Sequence, residues 1–324
     1  MIKRIFGDVP NWAKRENPLL RYEIVRNQPH LTSRARLVRM SGWALIFAFL
    51  LLIGYAITTD GFQRGLQMPY TVDIWRILFY PILILQVVLR VAGLSMGVNA
   101  ISDERRRQTW DNLRSTEMGT EISLRTRWIS VLFYRLRGLL VSVMLARIVL
   151  VMAILYELTS FQGQYLDILT TRSTPSVPLE FGVILLAGLM TAIVLMPITA
   201  TGVDVALGLL ISSTIRNRAL SGILQVLVLI FRVGTTVLLL LLMLQFQNDL
   251  LALDSTSAWL LSSGFAVFGD WGLTLTQLTQ TGQMWAEIPY SVFIGGLLLL
   301  VTLLQVMMAS AFLALAVRIA ERNE

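Results

Sequence analysis

Three residues carry charge inside otherwise apolar stretches: Arg90, Arg147 and Asp204. A charged side chain in hydrocarbon is costly, so it pairs with an opposite charge or faces water. Asp204 is the one acid in the interior of these stretches, while Arg76, Arg90, Arg135, Arg137, Arg147 and Arg232 lie in or near them. If the third stretch starts near Gly138, Arg147 and Asp204 each lie about nine residues, roughly 14 Å, from the same end at the helical rise. That common depth predicts an Arg147–Asp204 ion pair, with Arg90 as the competing partner. Two chemistries fit such a pair: a structural tie between helices, or a polar step on a substrate or proton path.

A second chemistry-bearing stretch runs from Ile101 to Arg127, ISDERRRQTWDNLRSTEMGTEISLRTR, with six arginines and five carboxylates between two apolar segments. A turn between helices needs far fewer residues. The block is either a docking element for a partner or a solvated charged loop.

Other chemistries are poorly supplied. With no cysteine there is no thiol nucleophile or thiolate metal site, and the single histidine, His30, leaves no histidine cluster. It stands beside Pro29 in a polar segment and reads as a surface residue. The only lysines are Lys3 and Lys14, and neither follows the glycine-rich spacing of a phosphate-binding loop. No nucleophile–base constellation points to an enzyme, and no metal or cofactor is expected.

The elements that must position these residues are membrane spans. Of 324 residues 55% are hydrophobic and 15% charged, against about 25% charged in soluble domains. A span takes ~20 apolar residues, and six fit: 39–58, 75–100, 130–157, 180–212, 219–245 and 289–317. The chain thus divides into an N-terminal segment 1–38, a membrane domain 39–317 and a short tail 318–324. Pro81 and Pro197 lie inside spans, where neighbouring helices can satisfy the carbonyls they free. Gly93 and Gly97 share one helix face and permit close approach, either to another helix of this chain or to a second chain. Span one is the other candidate contact surface between chains.

Arginine and lysine set the orientation, because cytoplasmic flanks retain positive charge. Nineteen lie at the end holding the N-terminal segment, the 101–127 block, Arg216, Arg218 and the C-terminus, against Arg64 and Arg172 at the other. Both termini are therefore expected in the cytoplasm. The net charge of +7 reflects this bias and contacts with anionic lipid, not nucleic acid. In the N-terminal segment, NPLLRYEIVRN predicts a cytoplasmic or interfacial helix with Asn17 as cap and Pro18 in the first helical position. The outer segment 246–288 is too long and apolar for a plain loop and predicts short helices lying in, or dipping into, the outer leaflet. Trp259, Trp271, Trp285 and Tyr290 there fit an interfacial aromatic belt, with ligand stacking as the alternative.

The order of these pieces resembles the permease subunits of ABC-2 type ABC transporters. The opening NPLLRYEIVRN is similar to the Asn-Pro-hydrophobic-Arg-Glu start of many members, and ALGLLISSTIRNRALSGIL (Ala206 to Leu224) to their stretch at the cytoplasmic end of spans four and five. In the block between spans two and three, Glu104 takes the family's first acidic position, followed by Arg105. Thr109 is the motif threonine, Asp111 the next carboxylate, Leu113 the leucine and Thr116 the threonine before a proline. Gln108, Trp110 and Glu117 replace the family's glycine, aliphatic and proline, and Arg127 stands near its lysine. The resemblance implies an all-α fold of six transmembrane helices with an interfacial N-terminal helix. It implies further that 101–127 is a cytoplasmic coupling helix docking on a separate ATP-binding cassette ATPase. A second permease chain and the cell inner (plasma) membrane complete what it implies. The competing expectation is a non-transporting structural subunit of a larger membrane complex that keeps this fold.

Overall fold

The computed structural model describes residues 18–27, 33–66, 70–106, 119–160, 174–215, 217–248, 250–277 and 288–322. Among them are nine α-helices and no strand: α1 (Pro18–Asn27), α2 (Ser33–Thr58), α3 (Tyr70–Arg106), α4 (Gly119–Ile129), α5 (Arg137–Ser160), α6 (Leu179–Thr214), α7 (Arg218–Gln247), α8 (Ser255–Gly264) and α9 (Ile294–Arg322). Six of these, α2, α3, α5, α6, α7 and α9, are long and apolar enough to cross a membrane. This is a multi-pass α-helical membrane protein. The helix boundaries follow local chemistry. α1 starts at Pro18, whose missing N–H costs nothing in the first turn. α7 is capped by Asn217, whose side-chain oxygen accepts from the Ala219 N–H at 2.9 Å.

Helices in lipid associate through close packing, because the surrounding tails are as apolar as the side chains. α6 is the hub, packing most extensively against α9 and then α3. Two glycine crossings make that contact close. At the first, a Cβ on Gly97 would lie 2.6 Å from the Val205 carbonyl oxygen, and a Cβ on Gly208 would lie 2.7 Å from that of Leu94. At the second, a Cβ on Gly295 would lie 2.6 Å from the Leu185 carbonyl oxygen. The Gly93/Gly97 face is thus occupied within the chain: Gly93 meets Thr201 and Val205, and Gly97 meets Gly208. A third glycine, Gly54 on α2, faces a carbonyl freed by proline. Pro81 cannot donate to the carbonyl of Ile77, and that carbonyl occupies the space a side chain at Gly54 would need.

α2 and α7 stay at the margin of the bundle. Leu45, Phe49 and Leu52 on α2, and Ile223, Leu227, Ile230 and Phe231 on α7, are all exposed. These are apolar faces for lipid or for another membrane chain.

The long connection between α7 and α9 does contain short helices. α8 runs into a π-helical turn, Phe265–Gly269, and then a 3-10 turn, Thr274–Thr276. It does not stay at the rim. Residues 269–277 are all buried, with Trp271 and Leu275 against Leu189, Ile193 and Met196 of α6. Leu273 packs beside Phe79 and Ile82 of α3 and Leu150 of α5. Residues 269–277 form a plug inserted between the spans.

Candidate functional site: the charges under the plug

The plug turns at Asp270-Trp271-Gly272. Trp271 (φ 56°) and Gly272 (φ 80°) adopt left-handed backbone, which a tryptophan accepts only where its surroundings hold it. The Asp270 carboxylate supplies part of that hold, accepting from the Gly272 N–H at 2.9 Å, the Thr274 N–H at 2.5 Å and the Thr274 hydroxyl at 2.6 Å.

Arg147 supplies the rest. It reaches across from α5 and is completely buried. A guanidinium has five N–H donors, and all five are used. Nη1 donates to the carbonyls of Ile193 at 2.6 Å and Trp271 at 3.0 Å, and Nη2 donates to that of Asp270 at 2.6 Å. With its amide oxygen turned toward the guanidinium, Gln86 accepts from Nη2 and from Nε, the latter at 3.0 Å. The Ile193 carbonyl is the one left without a helical donor by Pro197, four residues on. Arg147 therefore closes the proline gap in α6 and the plug turn with one group. Its guanidinium carbon also lies 5.3 Å from the centre of the Trp271 ring, within cation–π range.

The expected Arg147–Asp204 pair is not formed. Asp204 is bound instead by Arg90, the competing partner, at 3.2 Å and by Arg232 of α7 at 2.9 Å. With the third span taken to start near Gly138 the two residues would share a level, but Leu136 already packs beside Gly93, where Thr201 and Val205 of α6 also lie, so Arg147 meets α6 at Ile193, about 16 Å along the helix from Asp204. The Gly97–Gly208 crossing brings α3 close to α6, and Arg90, two turns before Gly97, reaches Asp204 from there. Arg90 also donates to the Phe268 carbonyl at 3.2 Å and stacks 5.4 Å from the Trp271 ring centre on the plug. Trp271 is thus no interfacial anchor: it is 1% exposed and adjoins two guanidinium groups. Trp259 keeps an exposed bond, its indole N–H donating to the Tyr290 carbonyl at 3.2 Å. Trp285 lies outside the described residues.

Two residues of this site escaped the sequence reasoning as partners. Arg232 was one of several interior arginines with nothing to single it out. Gln86 is an uncharged polar residue in span two, and only Pro197 offered a signal, since a freed carbonyl demands a donor.

At the arginine-rich end, Glu104 and Arg127 form a second buried pair. They are 3.4 Å apart with side chains 2% and 5% exposed, and Arg127 also donates to the Ala100 carbonyl at 2.5 Å. Glu104 is therefore turned inward and presents no free carboxylate for docking. Next to it, the Trp128 indole N–H donates to the Gly202 carbonyl of α6 at 2.8 Å. α4 buries Ser123, Leu124 and Thr126 and exposes Glu121, which pairs with Arg125 at 2.7 Å. α1 packs on α4 and on the π-helical turn that follows it, Ser130–Arg135, with Leu20 fully buried. The side chain of Arg105, and Thr109, Asp111, Leu113 and Thr116 entirely, lie outside what the structure describes.

Among the described residues no group of histidine, cysteine, aspartate and glutamate could hold a metal ion. Comparison of the chain with protein-family models, with curated proteins and with solved structures returns no match.

Proposed function

We propose that this chain is the membrane-spanning permease subunit of an ABC-2 type transporter. In this reading it is an exporter subunit in the cell inner membrane, with both termini in the cytoplasm and a second permease chain beside it. A separate ATP-binding subunit docks on the 101–127 block and supplies the work, since the sequence offers no phosphate-binding loop of its own.

The observation that supports this best is the locked base of the block. A loop that only turns the chain needs no buried ion pair, and burying one costs several kcal/mol of desolvation per ion before attraction returns it. Here the Glu104–Arg127 pair fastens both ends of the block to each other. Trp128 then fastens it to α6, and α1 covers it from the N-terminal side. A push on the block would pass into α3 and α6 and not be lost in a slack loop. Helices that carry charges of both signs suit docking in a complementary cleft, where rim charges set register.

The test is mild detergent extraction and purification through a tag on this chain, followed by identification of what co-purifies. A stoichiometric ATP-binding protein, lost in Thr109→Ala/Asp111→Ala, is the expected result. The second reading, a structural subunit of a membrane complex, draws on Arg147, whose five satisfied donors fix the plug between the spans. A fixed set of other membrane proteins without an ATPase would establish that reading and sink the first.

A further inference from the structure

The charges under the plug do not balance. Arg90, Arg147 and Arg232 stand against Asp204 and Asp270, an excess of one positive charge among these described residues in the middle of an apolar bundle. The unused donor capacity that goes with it lies on Arg232. Arg147 has every donor bonded, and Arg90 divides its donors between Asp204 and the Phe268 carbonyl. Arg232 touches Asp204 through one nitrogen, Nη2, and its side chain remains 27% exposed. Among the described residues Asp204 is the one side chain it pairs with.

Arg232 borders a narrow, half-open groove between α3 and α7, which has room between its walls for about one water-sized group and is otherwise open to the surroundings. Besides the Arg90, Asp204 and Arg232 cluster, its walls include Val91, Leu229 and Thr236. The groove is therefore apolar with one cationic spot, and it opens where α7 is only loosely covered by the bundle. A guanidinium with free donors in low dielectric is a strong receptor for a phosphate or carboxylate oxygen. The walls around it suit an alkyl chain.

We propose that this groove binds the anionic head of an amphiphile, with the head on Arg232 and the tail along α3 and α7. Under the permease reading on which this rests, the transported molecule is an anionic amphiphile, and this is where its charge is held inside the membrane. Asp204 keeps Arg232 and Arg90 aimed at one point, and Arg147 holds the plug that closes the far side.

The experiment uses the purified full-length chain in a nonionic detergent and titrates dodecyl phosphate, with inorganic phosphate and dodecanol in parallel. Binding is read from the change in tryptophan fluorescence and from thermal stabilisation. Dodecyl phosphate should bind, and Arg232→Gln should weaken it about tenfold, as expected for loss of a charge-assisted contact. Arg64→Gln, at an exposed arginine paired with Asp60, should leave binding unchanged. Because Arg232→Gln also touches the Asp204 pair, Leu229→Trp provides an independent arm. It fills the groove, leaves every charge in place, and should abolish the response. Equal binding of dodecanol, or unaltered binding in both groove variants, would overturn the proposal. So would inorganic phosphate matching dodecyl phosphate, since the tail would then contribute nothing. No ATPase is present in this assay, so its failure would remove the anion site and leave the permease reading intact. Failure to recover an ATPase would do the reverse.

Discussion

Arg147 and Arg232 are both arginines in the middle of membrane helices, and the structure uses them in opposite ways. Arg147 sits in a closed pocket and bonds three main-chain carbonyls and one amide, with no carboxylate directly on it. Arg232 sits at an open groove and bonds one carboxylate with one nitrogen. A buried cation need not have an ion-pair partner if enough carbonyl dipoles converge on it. Conversely, a visible ion pair need not exhaust its arginine. In this protein the unpaired arginine is the structural one, and the paired arginine has capacity left.

That contrast has consequences of graded size. The largest belongs to Arg147. Replacing it by glutamine strands the Ile193, Asp270 and Trp271 carbonyls and the Gln86 amide in a dry pocket, a loss of about 3–5 kcal/mol. Thermal unfolding in mild detergent would measure it, and Arg147→Lys should lose nearly as much because an ammonium cannot cover a five-donor fork. Next comes Asp204→Asn, which leaves two guanidinium groups facing each other; about 3 kcal/mol is expected, the lower end for breaking a buried pair, because Arg232 can turn toward the groove. Gly97→Ala should cost roughly 1–3 kcal/mol by overpacking the α3–α6 crossing, read by the same melt. Smallest is Arg232→Gln, under about 1 kcal/mol in stability as for a partly exposed pair, despite its predicted effect on anion binding. If Arg232→Gln destabilised as much as Arg147→Gln, the division between them would fail.

Much of the fold was legible because each span announces itself in composition. The six expected spans and the six helices agree within a few residues at most boundaries, and the N-terminal helix begins at Pro18. The plug was half legible: the apolar stretch 246–288 demanded short helices in, or dipping into, the leaflet, but nothing in it says that residues 269–277 are buried among the spans. Trp271 shows why, since an aromatic residue beside glycine reads the same at an interface and in a core. The charge site failed in a specific way. Rise per residue gives depth only from a known starting level, and the level of Asp204 is reached at Leu136 and not nine residues into the span, so Arg147 lies well beyond it, at Ile193. The Gly93 and Gly97 contacts set which residues of α3, α5 and α6 share a level, and a single sequence does not say which glycines meet. Glu104 was legible as a motif residue but not as a buried one, because its partner Arg127 lies across a twelve-residue stretch, 107–118, outside the description.

The most direct measurement is a pair of double-mutant cycles on stability in one detergent, Arg90→Gln with Asp204→Asn and Arg147→Gln with Asp204→Asn. The account predicts a coupling of about 1–3 kcal/mol for the first pair and less than about 0.5 kcal/mol for the second. A coupling between Arg147 and Asp204 as large as that between Arg90 and Asp204 would mean the core holds one charge cluster, not a closed structural pocket beside an open groove.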